Sequence, residues 1–268
     1  MKYALIAGAG SGLAQVVIDA IKDEFFIFAL DKNPIINNLY NHENVFPFVV
    51  DITDSTTLNN VKAVIEKKTS TLDLIINFAG IVILGSVIET TPELFNDVLQ
   101  VNLLGMYKIN HTFFPLIEQA KGRIINISSE YGQLLALPFH APYTVSKHAI
   151  EVYSDALRRE VARFGVRVIK IRPGAFKTPM QTQVYAQFND LLNETKHFKQ
   201  PLTKMQKLMV GELKKAKSPH KVLKTFKKAI RKKHPKHVYN VCHSFKMKLL
   251  NILPSPMQDW LLNSFFSA

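Results

Sequence analysis

The chain has 268 residues, of which 47% are hydrophobic and 21% charged, so it can bury a sizeable core as one large domain or two small ones. No apolar run is long enough to span a bilayer. The single cysteine, Cys242, excludes an internal disulfide and fits a reducing, cytoplasmic compartment. The formal net charge is +13, but sixteen Lys/Arg against one acid, Glu212, lie between residues 199 and 248, and the remainder is close to neutral.

Lys2 to Ala7 fits a buried parallel strand better than a signal peptide, because glycines interrupt it at once and a helical pattern follows. Gly8, Gly10, Ser11, Gly12 and Leu13 then form a strand–glycine turn–helix junction with Val16, Val17, Ala20 and Ile21. In that context the backbone comes close to a pyrophosphate, and the helix N-terminus faces its negative charge. Phe25 to Leu30 is a second strand. Asp31 at its end is placed to accept hydrogen bonds from ribose hydroxyls and to repel a 2′-phosphate, which favours NAD over NADP, although Lys32 stands next to it.

Val45 to Val50 is a third strand, reached through a link with room for a helix of a turn or two, and it ends in Asp51 and Ile52. Asp54 to Ile65 is amphipathic. Leu72 to Ile76 is a fourth strand leading into Asn77, Phe78, Ala79 and Gly80, whose small residues let a strand end press against a cofactor. Pro92 to Gln119 reads as one long helix with Asn102 inside it, and Arg123 to Ile127 as a fifth strand ending in Ser128 and Ser129. From Pro142 the pattern is helical to about Phe164, which puts Tyr143 and Lys147 one turn apart on one face. A phenol beside an ammonium is an acid–base device, because the positive charge favours the phenolate. Strands alternating with helices predict an α/β, Rossmann-type, doubly wound parallel sheet, with ligands at the carboxyl ends of the strands.

These motifs, in this order, resemble the short-chain dehydrogenase/reductase family, in its single-domain branch. The stretches that carry the resemblance are the glycine loop at 8–14, Asp31, Asp51, Asn77 to Gly80, Val101-Asn102, Ile127 to Ser129, Tyr143 with Lys147, and Pro173-Gly174 with Thr178. Ala149 to Pro179 looks most like the retinol and hydroxysteroid dehydrogenases. The resemblance implies a nicotinamide cofactor and a Ser–Tyr–Lys site. Tyr143 would move the proton and Ser129 would steady the substrate oxygen. Lys147 would tune the phenol and bond the ribose, and Asn102 would hold a water that links Lys147 to solvent. Asp51, Ile52, Pro173 and Gly174 would line the cofactor, and Thr178 would bond its carboxamide or cap a helix. No metal is implied. The chain departs from the family at Ala14, where Gly is common, at Phe78, where a second Asn is usual, and by one extra residue between Ser129 and Tyr143, which leaves Ser128 a rival of Ser129.

Residues 175 to 200 then form an apolar lid with Phe176, Met180, Val184, Tyr185, Phe188, Leu191 and Leu192. Leu134, Leu135, Leu137 and Phe139 add to the same wall, while His140 reads as an ordinary loop histidine. An apolar pocket with one polar spot suits a bulky lipophilic alcohol or ketone of the steroid, bile-acid or retinoid type. The domain organisation expected is 1–198 for cofactor, catalytic site and lid, with 199–268 a basic helical part completing the same domain. Its Lys-rich helices, with Trp260, Phe265 and Phe266, suggest either a surface that lies on anionic lipid or a solvated basic face. Nucleic acid is disfavoured, since no reader motif accompanies the charge. The family implies a homodimer or homotetramer. The competing functions are a nucleotide-sugar epimerase and a nucleotide-binding regulator without turnover.

Overall fold

The apolar runs become strands because their side chains are buried on both faces. In the computed structural model, which describes residues 1–267, the elements in chain order are β1 (Lys2–Ala7), α1 (Gly12–Ile21), β2 (Phe25–Asp31), α2 (Ile36–Leu39), β3 (Val45–Val49), α3 (Ser55–Glu66) and β4 (Leu74–Asn77). Then come α4 (Pro92–Leu99), a π-helical segment (Gln100–Gly105), α5 (Met106–Gln119), β5 (Arg123–Ile127), α6 (Ala141–Val161) and β6 (Arg167–Pro173). The chain continues through α7 (Pro179–Glu194), α8 (Lys199–Lys214), α9 (Leu223–Arg231), β7 (Val238–Val241), α10 (Phe245–Ile252) and α11 (Ser255–Ser267). One seven-stranded sheet runs in the order β3-β2-β1-β4-β5-β6-β7, and every pairing is parallel.

Alternation along each strand feeds two cores. Ile6 and Ile76 pack with Val17 and Ile18 of α1 and Phe226 of α9, while Leu5 and Ile75 pack with Ile109 and Phe113 of α5. A third cluster sits above the carboxyl ends of the strands, where Leu137 and Phe139 meet Val184 and Phe188 of α7 and Leu202 and Met205 of α8. The register aligns Ala7 with both Leu30 and Asn77, and Asn77 with Asn126. That alignment brings the glycine loop, Asp31 and the Asn77–Gly80 turn to one edge.

Three expectations need correction. The fourth strand begins at Leu74 and not Leu72, because the Leu72 N–H donates out of the sheet to the Leu116 carbonyl (2.9 Å). The long helix is broken by the π segment at Asn102, a device that shifts the hydrogen-bond ladder by one residue. The basic segment is not wholly helical. Val238 to Val241 forms the seventh strand, too short among Lys, His and Pro to stand out as a periodic pattern, and it lies at the sheet edge where short strands belong.

The departures from the family pattern have packing causes. Ala14 is fully buried where α1 meets the sheet. Phe78 stacks on Phe226 of α9 with ring centroids 5.3 Å apart, so an apolar contact stands where an amide is usual. The amides are supplied lower down. Asn77 Nδ2 donates to Asn110 Oδ1 and to Asn126 Oδ1, both at 2.9 Å, and Asn126 Nδ2 donates to Ser154 Oγ (2.9 Å). This buried chain ties β4 and β5 to α5 and α6. Asn126→Ala leaves Ser154 Oγ and one Asn77 N–H without partners, and each such buried loss costs about 1–3 kcal/mol. The expected outcome is a variant destabilised by about 2–4 kcal/mol, read as a lower urea midpoint at unchanged slope.

Candidate active site

The glycine loop is held from three sides. Asp31 Oδ2 accepts from Gly10 N–H (2.8 Å), Tyr40 OH donates to the Ala9 carbonyl (2.6 Å), and Gln15 Nε2 donates to the Gly10 carbonyl (2.9 Å). Gly8 has φ +77°, and a side chain on it would run into the backbone of Ala79, so the loop and the end of β4 approach as only glycine permits. Ser11 caps α1 through Ala14 N–H (3.3 Å). The amides of Gly12 and Leu13 at the head of α1 have no partner among the described residues. Two free N–H groups at a helix N-terminus behind a glycine loop fit a pyrophosphate. Asp31 Oδ1 accepts from Asn33 N–H (2.9 Å) and keeps acceptor capacity for ribose hydroxyls. These residues fit a nicotinamide dinucleotide.

Lys32 turns away to Asp51, Nζ to Oδ2 2.9 Å. Burial pushes the Asp51 carboxyl up, yet hydrogen bonds from Thr53 and then the Lys32 ammonium hold it at about 2. Ile52 packs against Gly105 of the π segment. Pro173 ends β6, and the Gly174 N–H donates to the Val241 carbonyl (2.8 Å). Thr178 occupies the N-cap position of α7 without capping it. Its methyl lies over Gly12, and its hydroxyl makes only a long contact to the Phe176 carbonyl (3.5 Å).

The catalytic candidates meet at the same edge. Tyr143 and Lys147 project from the first turns of α6, with the Lys147 ammonium 5.5 Å from the Tyr143 ring centroid. Lys147 is buried and donates to the Ile127 carbonyl (3.2 Å). Burial pushes its ammonium down to about 8, and Glu151 one turn further on opposes this. The Tyr143 phenol is pushed up by burial, with the Ser129 hydroxyl pulling it down and Glu130 pushing it up. Lys147 was expected to lower the phenol, but at this edge desolvation outweighs it. Ser128 and Ser129 face different ways. Ser128 Oγ lies against Gly132 toward Glu151, whereas Ser129 lies beside Tyr143 and accepts from Tyr131 N–H (3.2 Å).

Asn102 grips the chain after β4. Its Oδ1 accepts from Ile81 N–H (2.7 Å), and its Nδ2 donates to the Ile81 carbonyl and to Ser146 Oγ, both at 2.9 Å. Both amide protons are therefore used. A side chain on Gly80 would stand 3.2 Å from Asn102 Oδ1 and 3.6 Å from Lys147 Nζ, so Gly80 keeps this corner open.

Sequence reasoning missed a buried ionic cluster beneath these groups. Glu151 accepts two bonds from Arg172 (2.8 and 2.7 Å) and pairs with Lys170 (2.8 Å), which also reaches Asp155 (2.9 Å). The available signal was spacing, since Glu151 continues the Tyr143–Lys147 stripe by one more turn. Gln187 was also missed. From α7 it accepts from Leu84 N–H (2.9 Å) and donates to the Val82 carbonyl (2.8 Å).

The family model described as short chain dehydrogenase matches residues 2–189. The chain belongs to the short-chain dehydrogenase family. It is 33% identical over 177 residues to the probable short-chain type dehydrogenase/reductase VdlC of Helicobacter pylori, covering 65% of each chain. It is 38% identical over 135 residues to human retinol dehydrogenase 5, covering 49% of this chain and 42% of that one. The chain thus spans less than two thirds of the length of either relative. Two solved structures share the fold. They are ElxO with NADP bound (TM-score 0.71, 24% identity, 90% of this chain and 96% of that one) and the 3-ketoacyl-(acyl-carrier-protein) reductase of Brucella melitensis with NADH (TM-score 0.73, 19% identity, 90% and 96%). The family is one of oxidoreductases that bind a nicotinamide cofactor. No helix among the described residues is long and apolar enough to cross a membrane.

His140, three residues before Tyr143, is more than the loop histidine expected. It is 2% exposed and stacks on Tyr131, with ring centroids 5.5 Å apart. Its Nδ1 faces the Pro138 carbonyl (3.0 Å) and so carries the proton, which leaves Nε2 a buried acceptor without a partner. Burial pushes its proton affinity below that of a free histidine. Below a pH of about 6.5 the unfolded chain gains a proton that the folded chain refuses. Stability is therefore complete above that pH and is lost as pH falls. A His140→Phe variant is expected to lose less melting temperature than the parent as pH drops from about 7 to about 5, which calorimetry at stepped pH reads directly.

Proposed function

We propose that this dehydrogenase uses NAD(H) to interconvert a lipophilic secondary alcohol and its ketone, with Tyr143 as the acid/base. The observation that carries the reading is the convergence of Ser129, Tyr143 and Lys147 beneath an apolar wall of Leu137, Phe139, Val184 and Phe188. Tyr143 gives its proton to a carbonyl oxygen or takes one from an alcohol. Ser129 donates to the same oxygen and steadies its developing charge. Lys147, near 8, carries its charge through the neutral range and supports the phenolate by its field. When bound, the nicotinamide supplies or takes up the hydride. Asn102 positions Ile81, and the remaining lone pair of its Oδ1, facing the Gly80 corner, is where a water toward Lys147 would be held. Thr178 offers a hydroxyl that no cap consumes.

Asp31 supports NAD over NADP. Its carboxylate fills the space beside Gly10, where a 2′-phosphate would meet negative charge, and Lys32 is committed to Asp51. The apolar pocket wall, together with the likeness to a retinol dehydrogenase, supports a retinoid- or steroid-like substrate.

The test is nicotinamide absorbance over a panel of lipophilic secondary alcohols and ketones, with NAD and NADP side by side. Tyr143→Phe is expected to lose roughly 10²–10⁴-fold in kcat. Ser129→Ala is expected to lose roughly 10²-fold, while Ser128→Ala keeps kcat. Asp31→Ser is expected to move the NAD-to-NADP ratio of kcat/KM by roughly tenfold or more toward NADP. Because burial raises the Tyr143 phenol, the phenolate gains population only as pH rises. Alcohol oxidation should therefore accelerate with pH across the neutral range while ketone reduction does not. A preference for NADP in the parent, or full activity in Tyr143→Phe, overturns the reading.

A further inference from the structure

The last two helices turn much of their apolar surface outward. On α10, Phe245, Leu249 and Ile252 recur at helical spacing and are 78%, 56% and 78% exposed, while Met247 faces the interior. On α11, Leu262 and Phe266 face inward, and Trp260 is 67% exposed on the outside. Scattered exposed hydrophobics are ordinary, but a stripe continuing over two successive helices marks an interaction surface. The flanking charge is positive. Lys246 and Lys248 interrupt the α10 stripe, and Lys204 of α8 donates to the Phe265 carbonyl of α11 (3.2 Å). Asp259 on α11 and Glu212 on α8 are the two acids in these three helices, and α8 carries three further lysines, Lys199, Lys207 and Lys214.

We propose that α10 and α11 form an interfacial face that docks on an anionic lipid bilayer. Charge complementarity selects the occupant. A second copy packed on this face about a two-fold axis would bring the same lysines together. An anionic headgroup layer would meet them with opposite charge while the Phe, Ile and Trp side chains enter the acyl boundary. The inner side of this face belongs to the pocket wall, because Phe139 packs edge-on against Phe266 at 6.1 Å and clusters with Tyr143. A lipophilic substrate arriving from the bilayer would meet that wall first. This last step rests on the proposed reaction; the docking does not.

Trp260 is the chain's single tryptophan, so its emission reports this face alone. The full chain would be mixed with vesicles of roughly one part phosphatidylserine to two of phosphatidylcholine, and with pure phosphatidylcholine vesicles. The expected result is a blue shift, protection from acrylamide and co-flotation with the anionic vesicles, all weakened by salt and by pure phosphatidylcholine. The Phe245→Ser/Ile252→Ser variant removes only exposed side chains. It should keep NADH binding and lose roughly tenfold or more of its vesicle partition. Tyr143→Phe should dock as the parent does, which separates this result from the fate of the proposed reaction. Unshifted emission with anionic vesicles, or equal docking by the double variant, overturns the proposal. So does a concentration-dependent blue shift without vesicles, accompanied by a dimer mass that the double variant abolishes.

Discussion

The rotation of α6 about its own axis decides whether Tyr143 and Lys147 reach the carboxyl edge of the sheet, and the buried Glu151 cluster fixes that rotation. Glu151 is gripped by Arg172 and Lys170 from neighbouring positions of β6, so α6 cannot roll without separating buried charges. Burial alone would raise the Glu151 carboxyl, but the bonds from Arg172 and then Lys170 hold it down as a carboxylate. Removing one partner from such a set leaves an unpaired buried charge, a far larger loss than an exposed ion pair represents. Lys147 and Tyr143 lie one and two turns before Glu151 on the same stripe, so their placement follows. Arg172 also bonds Gln133, which anchors the short turn carrying Ser128 and Ser129. Helix, serine turn and β6 are thereby locked to one another from below.

The same burial explains the electrostatics above. A site dry enough to press the Lys147 ammonium down to about 8 also raises the phenol it serves. The two shifts oppose each other in sign but share one cause, desolvation. A lysine charged and near the phenol in sequence is therefore a poor guide to the phenol's proton affinity. Burial sets it, and burial is a property of the folded chain.

Much of this was legible in the chain. The strands could be read because a parallel sheet buried on both faces demands continuous apolar runs, and the glycine loop because Gly8 has no substitute where two backbones meet. Asp31 could be singled out because it ends a strand, Tyr143 and Lys147 because they share the first turns of a helix, and Asn102 because it is a polar residue inside a helical pattern. What escaped reading was interaction between distant segments. The Asn77–Asn110–Asn126 chain and the Gln187 clamp join residues far apart in sequence. β7 is four residues long and sits among charges that mask it. Phe78 looked like a damaged motif until Phe226, nearly 150 residues later, was found stacked on it. Which way Ser128 and Ser129 each face also needed three dimensions, since adjacent residues at a strand end point to opposite sides.

The segment after β4 shows how α7 and α6 come to share one support. Residues 81 to 84 leave the sheet without a partner strand, yet backbone groups of Ile81, Val82 and Leu84 are satisfied by side-chain amides. Asn102 supplies the bonds for Ile81 and, through Ser146, reaches α6 one residue from Lys147. Gln187 supplies those for Val82 and Leu84 from the middle of α7. Further along, Glu89 accepts from the N–H groups of Lys196 and His197 (both 3.0 Å) and fixes the turn into α8. A buried backbone group cannot remain unpaired without cost. Withdrawing α7 therefore strips partners from the irregular segment that Asn102 holds against the Lys147 corner. The position of α7 and the geometry around Lys147 are linked through four residues of irregular backbone, and the amide that holds them projects from the π segment at Asn102.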